Sequence, residues 1–173
     1  MRKRELTCCF TGHRPGKLPW RYREDDLRCV DLKLEMVQAL VQIYDRGYRH
    51  FLCGMAEGCD MYFADAVLAM REIHPEITLD AVIPCGNQPE LWERPQRVRY
   101  NGLIDRCDQV TVLQIAYSPE CMIRRNRYMV DRSSLLLACY NGTPGGTMRT
   151  ILYAQRQGLE VLQIPIPSNT QPV

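Results

Sequence analysis

The chain has 173 residues, 46% of them hydrophobic and 24% charged, with a formal net charge of +2. That length and balance fit one globular domain with a sizeable core and exclude a disordered chain. No apolar run approaches the roughly 18 residues of a membrane span, and the apolar stretch after the basic start is too short for a signal peptide.

In chain order, short β-rich runs alternate with helical patterns. Glu5–Thr11 reads as a buried strand that stops at Gly12. Asp25 or Asp26 caps a helix whose apolar positions Val30, Leu34, Val37, Leu40, Val41 and Tyr44 mark one face, and Gly47 closes it. His50–Cys53 is a second strand, stopped by Gly54. A helix opens at Gly58 and Asp60 and runs to about Ile73, before Pro75. Ile77–Ile83 is a third strand, ending at Pro84. Leu91 to about Arg106 is helical, and Gln109–Ile115 is a fourth strand. Cys121–Asp131 is a short arginine-rich helix, and Ser134–Tyr140 a fifth strand. A glycine-rich turn, Asn141–Gly146, leads into a helix at Thr147–Gln157. Glu160–Ile164 is the last strand.

Nearly all-apolar strands, each followed by a helix, indicate a mostly parallel sheet flanked by helices on both faces. The expected fold is a Rossmann-like, doubly wound α/β domain over residues 1–166, with a tail at 167–173. Its ligands are expected outside the carboxyl ends of the strands. The residues there are Gly12, His13 and Arg14 after the first strand; Gly54, Met55, Ala56, Gly58 and Asp60 after the second; Pro84 after the third; and Asn141, Gly145, Gly146 and Thr147 after the fifth.

Glycine lets backbone N–H groups approach an anion, and a helix N-terminus adds free donors and partial positive charge. Two such turns on one sheet edge point to a nucleotide-like ligand, although each alone is explained by a tight turn. Arg14 is suited to clamp a phosphate, and His13 to donate to one or carry a proton. Asp60 either binds ribose hydroxyls or caps its helix. Trp92 either packs in the core or stacks on a base. Of Arg124, Arg125 and Arg127, solvated positions explain most. There is no GxxxxGK[ST] and no GxGxxG, so neither a Walker loop nor an ordinary dinucleotide motif is present.

The 19 arginines outnumber the 3 lysines, a choice suited to bidentate phosphate or carboxylate contacts. Net charge near zero argues against nucleic acid as a partner. The nine cysteines are odd in number, lie mostly in apolar runs and form no CxxC pair. They read as buried hydrophobes of a cytoplasmic protein, with no metal site.

The stretch Gly54-Met55-Ala56-Glu57-Gly58-Cys59-Asp60, with Ala64 one turn on, resembles the G-x-A-x-G-x-D-x-x-A signature of the SLOG superfamily. That superfamily joins the DNA-processing protein A family to the LOG phosphoribohydrolases. Thr11–Pro15, the Pro84 to Trp92 segment, Arg127–Asp131 and Gly145-Gly146-Thr147 extend the likeness, which is nearest to the YpsA-like branch. The resemblance implies a Rossmann-like domain binding NAD, ADP-ribose or nucleoside phosphates, and a homo-oligomer. No other cofactor is implied. LOG enzymes carry a catalytic Glu after their glycine turn, paired with a helix arginine for which Arg127 is the match. Here Arg149 or Thr150 stands where the Glu would be. N-glycosidic hydrolysis would then need Glu57 or Asp131 in another geometry. A ligand-binding protein with a sensor role is therefore the first expectation, an N-glycosidic hydrolase the second and a single-stranded DNA binder the third.

Overall fold

In a computed structural model, which describes residues 4–167, the chain forms a six-stranded sheet with five α-helices. The strands are β1 (Thr7–Gly12), β2 (His50–Cys53), β3 (Thr78–Ile83), β4 (Gln109–Val112), β5 (Leu135–Tyr140) and β6 (Glu160–Pro165). The helices are α1 (Leu27–Asp45), α2 (Cys59–Ile73), α3 (Arg94–Arg106), α4 (Cys121–Asp131) and α5 (Gly146–Arg156). Every pairing is parallel, in the order β4-β3-β2-β1-β5-β6. The expected doubly wound α/β fold is the observed one. Residues 1–3 and all but the first residue of the expected tail lie outside the described residues.

The chain runs outward from β1 to β4, then returns to β5 on the other side of β1. Helices α1, α2 and α3 therefore cover one sheet face and α4 and α5 the other. The larger core lies under the first three helices, where Phe10 stacks on Phe63 at 4.4 Å and Phe51 meets Phe63 edge-on. The smaller core joins Cys9, Leu52, Val82, Leu136 and Ala138 to Met129, Val130 and Ile151. Strands β1 and β5 are buried on both faces apart from their last residues, as central parallel strands must be.

Several local expectations shift. The first strand starts at Thr7, because Arg4–Leu6 winds into a 3₁₀ turn. The fourth stops at Val112 and is an exposed edge, not a buried strand. The third helix starts at Arg94, with Pro95 in its first turn, rather than at Leu91. Asp26, not Asp25, caps α1, accepting from the Arg28 N–H at 2.9 Å. Trp92 packs edge-on against Tyr100 beside the core.

The largest correction concerns α1. The buried face is Cys29, Leu32, Met36, Leu40 and Ile43. Of the expected face only Leu40 is buried; Val30, Leu34, Val37 and Val41 are exposed. This helix carries two apolar stripes, and periodicity alone does not say which one meets the sheet.

Candidate functional site

The winding direction reverses between β1 and β5, so the loops after these strands splay apart and leave a crevice. A cavity of about 330 Å³ sits there, lined by Gly12, His13, Arg14, Lys17, Ala56, Asp60, Met122, Arg125, Gly146 and Thr147, among others. Gly12, His13, Arg14, Ala56, Asp60, Gly146 and Thr147 were expected on this edge.

One wall is the turn from Gly54 to Gly58. Arg125 is buried and donates from Nη1 to the Gly54 carbonyl at 2.5 Å. Gln88 Nε2 donates to the Gly54 and Met55 carbonyls at 3.2 and 3.1 Å. Asp60 accepts from the Ala56 N–H at 3.0 Å, closing the turn from inside. A Cβ at Gly54 would collide with the Arg125 guanidinium, so glycine is required for this side chain to pass. Met55 holds φ 57°, an outlier for a bulky residue, and is fully buried. Such strain persists only where the surroundings over-determine it, and Arg125 and Gln88 do so.

The opposite wall is the turn before α5. His13 is buried and packs its ring against Asn141 Oδ1 at 2.7 Å, with Nδ1 3.4 Å from the Thr147 hydroxyl. Nε2 also lies 3.2 Å from the Asn141 backbone N–H, so Asn141 offers that nitrogen both an acceptor and a donor. Asn141 Oδ1 also accepts from Thr143 N and Oγ1, at 3.0 and 2.6 Å. Lys17 Nζ donates to the Pro144 carbonyl at 2.6 Å.

The electrostatics follow from burial. Desolvation lowers the His13 pKa, and Lys17 adds to this against the Asn141 contact, so the ring is neutral near pH 7. Desolvation raises the Asp60 carboxyl, while Arg125 and the Ala56 N–H pull it back. Arg125 is itself lowered by burial and supported by Asp60. The cavity thus joins three basic side chains, Arg14, Lys17 and Arg125, to one carboxylate and the N-terminus of α5.

The remaining expected residues stand elsewhere. Gly54, Met55 and Gly58 lie behind the wall, Asn141 and Gly145 brace the turn before α5, and buried Pro84 ends β3 away from the cavity. Arg127 departs from expectation. It lies over the Tyr153 ring, 5.3 Å from its centroid, and lines a neighbouring cavity of about 330 Å³ with Arg149 and Arg156. The arginine that enters the site is Arg125. Its signal was the spacing of Cys121, Arg125 and Met129, which share the buried side of α4. Lys17 and Gln88 had no comparable signal, since both act through loops.

Neither substitute acid reaches the crevice. Glu57 accepts from the Tyr22 hydroxyl at 3.3 Å and lines no wall of the cavity. Asp131 ends α4, accepts from the Tyr153 hydroxyl at 2.8 Å and lines a separate cavity under β1 to β4. Burial makes Cys9 and Cys107 poor nucleophiles, pushing both up to about 12. No helix among the described residues is long and apolar enough to cross a membrane.

Comparison with known proteins places this geometry in context. The SPbeta prophage-derived protein YoqJ of Bacillus subtilis is 26% identical over 142 residues, covering 75% of this chain and 82% of that protein. A UPF0398 protein of Bacillus velezensis is 25% identical over 162 residues, covering 92% of this chain and 88% of that one. Among solved structures, DNA processing protein A from Streptococcus pneumoniae matches with a TM-score of 0.61 and 16% identity over 93% of this chain. This chain spans half the length of that one. DNA processing protein A from Helicobacter pylori, described for its single-stranded DNA binding mode, matches with a TM-score of 0.61 and 13% identity. That match covers 95% of this chain and 67% of that one.

The H. pylori match overturns the argument from net charge against nucleic acid. A charge of +2 averages over the whole surface, whereas Arg127, Arg149 and Arg156 gather on one groove. The model of the YspA SLOG family matches residues 8–164, and the chain belongs to that family.

Proposed function

We propose that the crevice between β1 and β5 binds a nucleotide or nucleotide-derived phosphate, and that the protein is a binding module rather than a hydrolase. The observation that carries this reading is the meeting of Arg14, Lys17, Arg125 and the Thr147 hydroxyl around one cavity at the N-terminus of α5. At about 330 Å³ the cavity is at the small end of ligand pockets, suited to a nucleoside monophosphate or that part of a larger ligand. Among the described residues the only carboxylate lining it is that of Asp60, whose Oδ2 accepts from the Ala56 N–H. This supports binding without N-glycosidic cleavage.

A second reading has its own support. The neighbouring cavity shares Met122, Asn126 and Gly146 with the first and adds Arg127, Arg149, Arg156 and the Tyr153 side chain. A basic path with an aromatic beside it suits single-stranded DNA, which the H. pylori structural neighbour binds.

The test is a thermal-shift panel of AMP, ADP-ribose, NAD and a short single-stranded DNA, with each ligand checked for breakdown by chromatography. A ligand at a hundred times its dissociation constant stabilises by about 2.7 kcal/mol. We expect a shift with an intact mononucleotide. A shift with DNA alone, lost steeply with salt, selects the second reading. A cleaved ligand overturns the binding-module reading, and no shift with any ligand overturns both.

A further inference from the structure

A groove runs on from the crevice between α4 and α5. It is the neighbouring cavity of about 330 Å³, which meets the first at Met122, Asn126 and Gly146. Gly146, Arg149, Tyr153 and Arg156 follow one another at steps of three and four residues, so they share one side of α5. Ile123 and Arg127, four residues apart on α4, form the facing side. At about 1.5 Å per residue, Arg149 stands about 4.5 Å from Gly146 along the helix, Tyr153 about 10 Å and Arg156 about 15 Å.

The charge of this groove is one-sided. Among the described residues no aspartate or glutamate lines it, and Arg127, Arg149 and Arg156 form no salt bridge. Asp131, at the end of α4, accepts from the Tyr153 hydroxyl at 2.8 Å and lines a different cavity. Elsewhere the chain matches surface arginines with carboxylates: Arg46 with Glu160, Arg71 with Asp108 and Arg106 with Glu72. Three like charges around one concavity repel, and a bound anion removes that cost. Arg127 is also seated, its guanidinium lying over the Tyr153 ring.

We infer that this groove is a second phosphate subsite, and that the ligand of the crevice carries two phosphates with a nucleoside between them. The inference rests on the nucleotide reading of the crevice. One phosphate lies at the N-terminus of α5, among Arg14, Lys17 and Arg125; the second lies between Arg127 and Arg149. The neighbouring phosphates of a diphosphate sit too close together to serve both places, since Arg127 rests on Tyr153, about 10 Å down α5 from Gly146. A nucleoside bridges that gap, with Met122 and Ile123 as its apolar contacts. Arginine suits the far position because its planar fork grips phosphate oxygens in pairs. A nucleoside 3′,5′-bisphosphate has this chemistry, and so does the 5′-phosphorylated end of a dinucleotide.

The test is calorimetry on the full chain with AMP, ADP, adenosine 3′,5′-bisphosphate and the 5′-phosphorylated dinucleotide of adenosine. ADP and the bisphosphate add the same group to AMP at different places, so charge is nearly matched and geometry is not. We expect the bisphosphate to bind about tenfold more tightly than ADP. The double variant Arg127→Gln, Arg149→Gln should abolish that advantage while AMP affinity changes by less than about twofold. If the double variant does not fold, Arg149→Gln alone should remove most of the advantage. A dinucleotide that matches the bisphosphate and shares its sensitivity to the variant supports the inference with a strand end as the source. A weaker dinucleotide supports it with the free nucleotide as the source. Equal binding of ADP and the bisphosphate overturns the inference and leaves the crevice reading standing, provided AMP binds. So does an advantage that survives in the folded double variant. No binding of AMP or the bisphosphate overturns the crevice reading and the inference together.

Discussion

The two turns that flank the crevice are built in opposite ways. The Gly54–Gly58 turn is held from inside by Arg125, Gln88 and Asp60, all buried. The Asn141–Thr147 turn meets the interior at His13 and is otherwise held from outside, by Lys17 on Pro144 and by Asn141 folding back on Thr143. Buried polar contacts cannot be exchanged for water at low cost, whereas exposed ones can. The first turn is therefore a fixed wall. We expect the second, held mostly by exposed contacts, to be the wall that adjusts when a ligand enters.

Arg125→Ala is the substitution that tests this contrast most severely. It leaves the Gly54 carbonyl with Gln88 as its side-chain donor and removes the cation that balances the buried Asp60 carboxylate, and should cost about 3–4 kcal/mol in a urea titration. Loss of less than about 1 kcal/mol would show that the first wall is not fixed from within. Gly54→Ala follows, since its methyl group displaces the guanidinium; the expected cost is about 1–3 kcal/mol by the same measurement.

His13 sharpens the comparison through pH. Its folded pKa is depressed by burial, so the neutral ring favours the fold. That contribution is present above the unfolded histidine value of about 6.5 and is lost as pH falls through the depressed folded value. Melting temperature should therefore drop more steeply on acidification in the native chain than in His13→Asn. Equal slopes would separate His13 from the stability of the site.

Lys17→Ala has the smallest expected effect on stability, within about 0.5 kcal/mol, because its contacts are exposed. If Lys17 faces a bound phosphate, the same variant weakens nucleotide binding severalfold in calorimetry. A large stability loss would mean that the second turn is as rigid as the first.

Much of this molecule was legible in its sequence, for specific reasons. Central parallel strands such as Leu135–Tyr140 are almost uniformly apolar, and each stops at a glycine or turn residue. The sheet and the loops at its carboxyl edge follow from that. Gly12, Arg14, Asp60 and Thr147 could be placed at the crevice because the topology brings those loops together.

Two features resisted. Arg125 lies in an arginine-rich helix where charge reads as solvent, and its burial depends on a carbonyl, that of Gly54, supplied 71 residues away. Helix α1 has apolar residues on two sides, so its pattern satisfied the helical period in the wrong register. Net charge misled in the same way, because an average cannot show where arginines gather.

The most direct test of the central claim is paired calorimetry on the native protein with AMP and with adenosine, which differ only in the phosphate. A crevice built from Arg14, Lys17, Arg125 and the N-terminus of α5 should bind AMP at least about tenfold more tightly, a difference of about 1.4 kcal/mol. Equal affinity for the two, or no binding of either, would contradict it.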